Sequence, residues 1–386
     1  MDISILRERL VVGEDSRNQF KRTVHSSDQL ASEMVAFSNS KGGIIYVGVE
    51  DDGTIVGLSP DEVRILNQWI SSAASQSVHP AINPESEAIT VDGRIIVVIV
   101  INEGLSKPYT DNHSAIWVKS GADKRRVTAR EELQRMFQAG DFLHADEMPV
   151  PALSPSDIEL LYFGQVYEKI YGETLDEQEL PLPQLLQNMN LAKDGVLNLS
   201  GALLFSRKSR FFLPSFIVKA VKYSGSDINV DQYRDSRDFT GVLEEIFEST
   251  MQFIMNNIPY SQKGQHVNSI AEPAVQKIVF EELLANALLH RDYFISAAIR
   301  VFVFDDRVEI INPGHLPNNL TIGNIKAGVS VARNPVLTSF GTAVLPYRGL
   351  GNGIRRVLKI HKSIDFIDDR EANQFKAIVY YDNSPR

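Results

Sequence analysis

The sequence contains no cysteine among its 386 residues. This absence excludes disulfide bonds, thiolate zinc sites and cysteine nucleophiles. Long apolar segments are also missing, because the longest run, residues 95–101, is far shorter than the roughly 20 residues that span a bilayer. The N-terminus shows no secretory signal pattern. We therefore predict a cytoplasmic protein without membrane association.

Positive charge is scarce as well, since the formal net charge is −10. An acidic chain does not coat nucleic acid along its whole surface, because phosphate binding needs clustered Lys and Arg. Two local basic clusters remain, one around Arg17–Arg22 and one around Lys119–Arg130. Each is either a contact for phosphate or a solvated charged face. With 43% hydrophobic residues, the chain has room for two or three globular domains.

The last third of the chain carries two spaced signatures. Glu282 and Asn286 are four residues apart in a segment of helical composition, so they share one face, with His290 one turn further on. Such a pair predicts a binding site for Mg and phosphate. Gly349, Gly351 and Gly353 follow some sixty residues later. Alternate glycines allow close backbone approach to phosphate, although an ordinary turn has the same composition.

These two signatures resemble the divergent ATP-binding domain of the GHKL superfamily, over residues 272 to 381. The resemblance implies ATP and Mg as cofactors, Asn286 as the Mg ligand and Glu282 as the catalytic general base. It also implies an adenine-side loop at Asn312 and Gly314, where Asn312 stands at a position that usually holds an Asp. The remaining nucleotide-binding residues implied are His290, Arg333 and the lid glycines Gly349, Gly351 and Gly353. Arg333 either meets a phosphate or packs against the lid.

The first part of the chain resembles the Schlafen AlbA-type domain over residues 10 to 135. The similarity is carried by Phe37, Asn39, the pair Gly42-Gly43 and the segment from Gly48 to Gly53. It implies a nucleic-acid-binding module, with DNA favoured over RNA. The candidate nucleic-acid contacts are Lys21, Arg22, Lys119, Lys124, Arg125 and Arg126.

Some Schlafen relatives cut RNA at a metal site of two acids five residues apart and a further acid. Glu14 fits the first position, but Gln19 stands at the second, and the third falls on Glu50 or Asp51. Fewer converging carboxylates weaken both metal affinity and water activation. A remnant nuclease site is therefore the weaker hypothesis.

We predict an α/β (α+β) protein with an AlbA-type domain at 1–140, a linker at 141–154, a middle mixed region at 155–270 and a GHKL-like sandwich at 271–386. Apolar strands are predicted at Leu199–Phe205 and Phe216–Val221, and a hairpin strand at Thr54–Leu58. The domain pairing implies an ATP-binding and nucleic-acid-binding transcriptional regulator with slow ATP hydrolysis, acting as a homo-oligomer. The alternatives are a metal-dependent tRNA endonuclease in phage defence and a protein-interaction scaffold with a degenerate ATP pocket.

Overall fold

The computed structural model describes residues 3–140, 142–228, 233–262, 271–317 and 320–382. The chain has an α/β fold and divides into two compact units, Met1–Leu143 and His144–Arg386. Across the described residues, every helix is too short or too polar to cross a bilayer.

The first unit is built on a four-stranded mixed sheet in the order β1-β2-β5-β4, in which only the β1/β2 pair is parallel. Its strands are β1 (Asn18–Lys21), β2 (Gly43–Val47), β3 (Val78–His79), β4 (Glu85–Val91), β5 (Arg94–Ile101), β6 (Thr110–Asp111), β7 (Trp117–Ser120) and β8 (Asp123–Arg126). Its helices are α1 (Ile3–Val12), α2 (Ser27–Asn39), α3 (Pro60–Ser72) and α4 (Arg130–Ala139).

Strand β5 is apolar on both faces because helices cover both sides of the sheet. Ile96 and Val98 pack with Leu6 and Leu10 of α1. The alternate residues Val97, Ile99 and Ile101 join the cluster formed by α2 and α3. A continuous apolar run is thus the expected sequence of this strand.

The predicted hairpin at Thr54–Leu58 forms only in part, because the Glu50 amide donates to the Thr54 carbonyl oxygen at 2.9 Å across the turn but the segment is not a continuous strand. Only isolated bridges connect Val49 to Ile55 and Leu58 to Ile95. Gly53, just before the segment, and Gly57, within it, have φ angles of 86° and 80°, in the left-handed region. These backbone conformations prevent a continuous extended strand. The segment is therefore a looped connection rather than a strand.

The second unit contains a six-stranded sheet in the order β12-β11-β15-β16-β18-β17, with only β11 and β15 parallel. Its strands are β9 (Ala192–Lys193), β10 (Val196–Leu197), β11 (Val218–Tyr223), β12 (Tyr233–Phe239), β13 (Tyr260–Gln262), β14 (Ala271–Pro273), β15 (Ile299–Val303), β16 (Arg307–Pro313), β17 (Ile364–Asp369) and β18 (Gln374–Tyr380). Its helices are α5 (Leu160–Tyr171), α6 (Leu182–Asn188), α7 (Leu199–Phe205), α8 (Ser209–Phe212), α9 (Leu243–Asn257), α10 (Lys277–His290), α11 (Ile322–Ala327), α12 (Pro335–Val344) and α13 (Gly353–Ile360).

The structure differs from the predicted division of this half of the chain. Strands β11 and β12 belong to the predicted middle region, yet they share one sheet with the C-terminal strands. Ala145, Val150 and Leu153, within the predicted linker, are buried in the same hydrophobic core. Residues 144–154 therefore start the second unit.

The predicted strand at Leu199–Phe205 is also wrong, because these residues form helix α7. The side chain of Asn198 caps the helix by accepting a hydrogen bond from the Gly201 amide at 2.9 Å. Every residue of α7 is buried. A short apolar run that is buried all round has no periodicity that separates helix from strand.

Asp146 joins the start of the unit to helix α12. Its carboxylate is fully buried, and Oδ2 accepts a hydrogen bond from the Leu337 amide at 3.0 Å. Burial raises the pKa of Asp146 from its ordinary value of 3.8 to about 6. The folded protein therefore binds a proton that the unfolded chain has already released between these two values.

We predict that this proton makes the unfolding free energy fall as pH rises from 3.8 to about 6. In Asp146→Asn, the amide oxygen keeps the acceptor for Leu337 and has no proton to lose. Relative to this variant, the wild type should lose up to about 3 kcal/mol across the window. Urea unfolding at a series of pH values measures the difference, and contributions from other groups cancel in it. Parallel stability curves would contradict the prediction.

Candidate nucleotide site

One cleft in the second unit brings together all the residues predicted to bind nucleotide. It lies between α10, the sheet floor at Ile310 and Ala377, and the loops before α11 and α13, with about 1050 Å³ of space including the part open to solvent. The predicted residues that line it are Glu282, Asn286, His290, Asn312, Gly314, Arg333, Gly349, Gly351 and Gly353. Their individual roles stay predictions.

Glu282 and Asn286 form a hydrogen-bonded pair on one face of α10. Asn286 Nδ2 donates to the Glu282 carbonyl oxygen at 2.7 Å and to Glu282 Oε1 at 2.9 Å. Glu282 is only 4% exposed. Since Nδ2 is used within the helix, Asn286 Oδ1 is the atom left for a ligand, and amide oxygen is a ligand type that Mg accepts.

Helix α13 contacts Glu282 at two points one turn apart. Arg356 Nη2 donates to Glu282 Oε2 at 2.8 Å. A Cβ at Gly353 would lie 1.6 Å from Glu282 Oε1, so no larger residue fits there without a shift. The carboxylate thus faces the N-terminal turn of α13, whose partial positive charge favours an anion.

The predicted lid glycines form a tight loop before α13. Gly349 and Gly351 both have φ of 67°, in the left-handed region that favours glycine. A Cβ at Gly351 would lie 2.8 Å from the carbonyl oxygen of Gly328, directly after α11. The backbone of the loop therefore packs closely on the end of α11.

His290 lies at the end of α10, where its Nε2 is 3.3 Å from the Tyr347 hydroxyl. Burial, together with the charge of Arg333, lowers the pKa of His290 to about 4. The imidazole is therefore neutral near pH 7. It can hydrogen-bond to a ligand but adds no positive charge to the cleft.

Arg333 contacts residues 314–315, which belong to the predicted adenine-side loop. Its Nη2 donates to the His315 carbonyl oxygen at 2.6 Å, and the residue is 9% exposed. A Cβ at Gly314 would lie 2.7 Å from Arg333 Nη1 and 2.4 Å from Asp292 Cβ. The observed contacts of Arg333 are therefore packing contacts. They are made with residues 314–315 and not, as predicted for the packing role, with the glycine loop.

The cleft offers two chemically different ends. Phe366 and Phe375 stack at 5.9 Å with an interplanar angle of 20°, and both line the cleft. Flat aromatic and aliphatic walls suit a purine ring. Two buried polar atoms of residues that line the cleft, Asn312 Oδ1 and Arg333 Nε, have no hydrogen-bond partner among the residues that the structure describes. These residues fit a nucleotide that is apolar at one end and anionic at the other.

Sequence reasoning missed Arg356 and Arg348. Arg356 lies three residues after Gly353, and this spacing places the two residues on the same face of a helix. The sequence therefore contained a signal that Arg356 lies near the glycine loop. Arg348 is exposed at the cleft, immediately before the first lid glycine. Its position next to the glycines was the available signal.

In the first unit, carboxylates neutralise most of the predicted nucleic-acid contacts. Lys124 and Lys21 lie 3.0 and 3.8 Å from Glu33 Oε1. The other ion pairs join Arg22 to Glu50 at 3.2 Å and Arg125 to Glu132 at 2.7 Å. Lys119 Nζ donates to Gln19 Oε1 at 2.5 Å and lies over the Phe37 ring. Arg126 is exposed in β8.

The candidate nuclease residues do not converge. Glu14 Oε1 accepts from Gln19 Nε2 at 2.5 Å and from the Phe20 amide at 2.7 Å. Glu50 pairs with Arg22, and Asp51 is exposed. Within the described residues, no three His, Asp or Glu side chains are grouped so as to hold a metal.

Comparison with known proteins confirms both resemblances. Residues 14–128 match the family model "Schlafen, AlbA_2", and residues 296–373 match the model "Putative ATP-dependent DNA helicase recG C-terminal". The chain thus joins an AlbA-type domain to an ATPase-related domain. These are domain types of nucleic-acid-binding and nucleotide-using proteins.

Solved structures include similar chains. The DIP2311 protein from Corynebacterium diphtheriae is 19% identical, with a TM-score of 0.48, over 98% of this chain and 80% of that one. The N-terminal domain of a "Putative ATP-dependent DNA Helicase RecG-related Protein" from Nitrosomonas europaea is 25% identical, with a TM-score of 0.25, over 33% of this chain and 94% of that one. No curated protein sequence matches this chain.

We predict that Gly353→Ala disturbs the Glu282 contact. The added Cβ would overlap the carboxylate, so either α13 or the hydrogen-bonded Glu282 side chain must shift, at a cost of about 1–3 kcal/mol in unfolding free energy. Gly323→Ala on α11 is the matched control, because its nearest neighbour would be 3.5 Å away, at Thr321 Oγ1. Chemical unfolding should show this control to be neutral or slightly stabilised. Equal stability of the two variants would mean that α13 is not held against Glu282.

Proposed function

We propose that this protein binds Mg-ATP in the cleft of its second unit, hydrolyses it slowly, and binds nucleic acid through its first unit as a regulator. The observation that carries the proposal is the pair of Glu282 and Asn286 facing the glycine loop in one cleft. Such a pair supplies a carboxylate and an amide oxygen beside a backbone that can approach phosphate. The ATPase-related family match over residues 296–373 supports the same reading.

Each residue in the cleft has a proposed role. Asn286 would ligate Mg through Oδ1, and Gly349 and Gly351 would close over the phosphates. Bound Mg would neutralise phosphate charge and hold the phosphate chain in place. Glu282 would accept a proton from the attacking water, since a general base must lie within hydrogen-bond reach of that proton.

The base of the nucleotide would lie at the apolar end of the cleft. Phe366, Phe375 and Leu316 line this end, and Asn312 is at its edge, where β16 ends. An amide side chain can both donate to and accept from a purine edge. Asn312 Oδ1 has no partner among the described residues, so it would be available to accept from the exocyclic amino group of adenine.

Nucleic-acid binding is assigned to the β7/β8 hairpin of the first unit. The hairpin turns at Gly121, with φ of 63°, and carries Lys119, Lys124, Arg125 and Arg126. Contacts from such a hairpin to phosphates fix position without reading bases. The description of the C-terminal family refers to DNA, which favours DNA over RNA as the target. The proposal also includes a role in transcription, a homo-oligomeric state and a cytoplasmic location.

We expect Asn286→Ala to lose Mg-ATP binding, because the variant lacks the only side-chain oxygen proposed for Mg at this position. Asn188→Ala is the control, since Asn188 is exposed on α6 and does not line the cleft. Isothermal titration with Mg-ATP should show a drop of at least about tenfold for Asn286→Ala only. Phosphate release from the same samples separates a hydrolase from an ATP sensor. Equal binding by both variants would contradict the assigned site.

For nucleic acid, we expect Arg126→Ala to weaken binding and to reduce the slope of log affinity against log salt by about 1, as for one lost phosphate contact. Arg64→Ala is the control, because Arg64 is an exposed arginine on α3 of the same unit. Fluorescence anisotropy with duplex DNA and with RNA of the same sequence, at several salt concentrations, measures both quantities. Identical slopes for the two variants would remove the hairpin from the interface, and tighter binding of RNA would reverse the preference for DNA.

A further inference from the structure

Glu282 is held by a second helix as well as by its own. Its Oε1 accepts from Asn286 of α10, and its Oε2 accepts from Arg356 of α13 at 2.8 Å. The glutamate side chain is 5% exposed, whereas the arginine side chain is 29% exposed. A buried carboxylate of this kind keeps its charge and orientation only when fixed partners surround it.

Arg356 lies outside the cleft wall, although Glu282 and Gly353 are part of that wall. Its guanidinium therefore acts on the carboxylate rather than on a ligand in the cleft. Gly353 leaves no space beside Oε1 and Arg356 bonds to Oε2, so one helical turn lies against both oxygens. Helix α13 begins directly after the lid loop, and the position of the loop and the orientation of Glu282 are set by the same helix.

We propose that Arg356 is a positioning residue for the Glu282 carboxylate, so that Glu282 acts as a base only while α13 is packed on α10. This proposal rests on the proposed ATP hydrolysis. As the water oxygen forms its bond to the γ-phosphorus and the bond to the departing ADP oxygen breaks, a water proton would pass to one Glu282 carboxylate oxygen, and the guanidinium keeps its own protons throughout. Arg356 therefore orients the group and stays unchanged in the reaction.

The test compares Arg356→Gln, Arg356→Lys and the control Arg355→Gln, which removes the same charge from the exposed neighbouring position of α13. Mg-ATP affinity is measured by titration and turnover by phosphate release. We expect Arg356→Gln to lower kcat by about tenfold or more, with affinity changed less than about twofold. Arg356→Lys should restore part of kcat because it retains a positive donor, and Arg355→Gln should match the wild type.

A double-mutant cycle with Glu282→Gln separates positioning from general structural damage. If Arg356 acts through Glu282, Arg356→Gln causes no further loss of turnover in the Glu282→Gln background. An unchanged kcat in Arg356→Gln, or an equal loss in both backgrounds, would overturn the proposal. A wild type that binds Mg-ATP without releasing phosphate would also overturn it while leaving the nucleotide site intact. A wild type that fails to bind Mg-ATP would overturn the proposed function itself.

Discussion

In the second unit, the packing of α13 on α10 depends on the hydrogen-bond partners of one buried carboxylate, that of Glu282. Glu282 lies on α10, a helix that is buried on most of its surface, and it is itself 4% exposed. Removing a carboxylate from water costs several kcal/mol unless donors and a positive charge replace the lost hydration. Asn286, Arg356 and the first turn of α13 provide them. Because these partners come from two helices, the requirement fixes α13 against α10 and places the end of the glycine loop at 349–353.

In the first unit, two lysines compensate the charge of another buried carboxylate. Glu33 is 7% exposed on α2, and Lys21 and Lys124 lie within 4 Å of its Oε1. Cations that look like nucleic-acid contacts in the sequence therefore also neutralise an internal carboxylate. Only the positive charges that exceed the nearby carboxylates remain available to bind phosphate. In a chain with a net charge of −10, the proposed nucleic-acid binding would have to come from a few well-placed groups such as Arg126, rather than from a broad basic field.

The sequence was informative wherever the relevant spacing is local. The four-residue step from Glu282 to Asn286 and the alternate glycines at 349–353 predicted neighbours correctly, because helix periodicity and glycine conformation are short-range properties. Contacts between distant segments were not accessible. Nothing near Arg333 in the chain indicates that it bonds to the His315 carbonyl, and the polar, proline-containing stretch at 141–154 did not reveal that Ala145 and Val150 are core residues. The helix at Leu199–Phe205 was missed because complete burial removes the periodicity that distinguishes the two structures.

A chain of contacts within the second unit connects its first residues to the glycine loop at 349–353. Asp146, close to the boundary between the units, caps α12 through the Leu337 amide. Asn334, just before α12, donates to the carbonyl oxygens of Leu289 and Arg291, and so ties α12 to the end of α10. Tyr347 follows α12, meets His290 and leads directly into the glycine loop. The N-terminal end of α12 is therefore held by two sets of buried polar contacts. A change that displaced Asp146 would act first on α12.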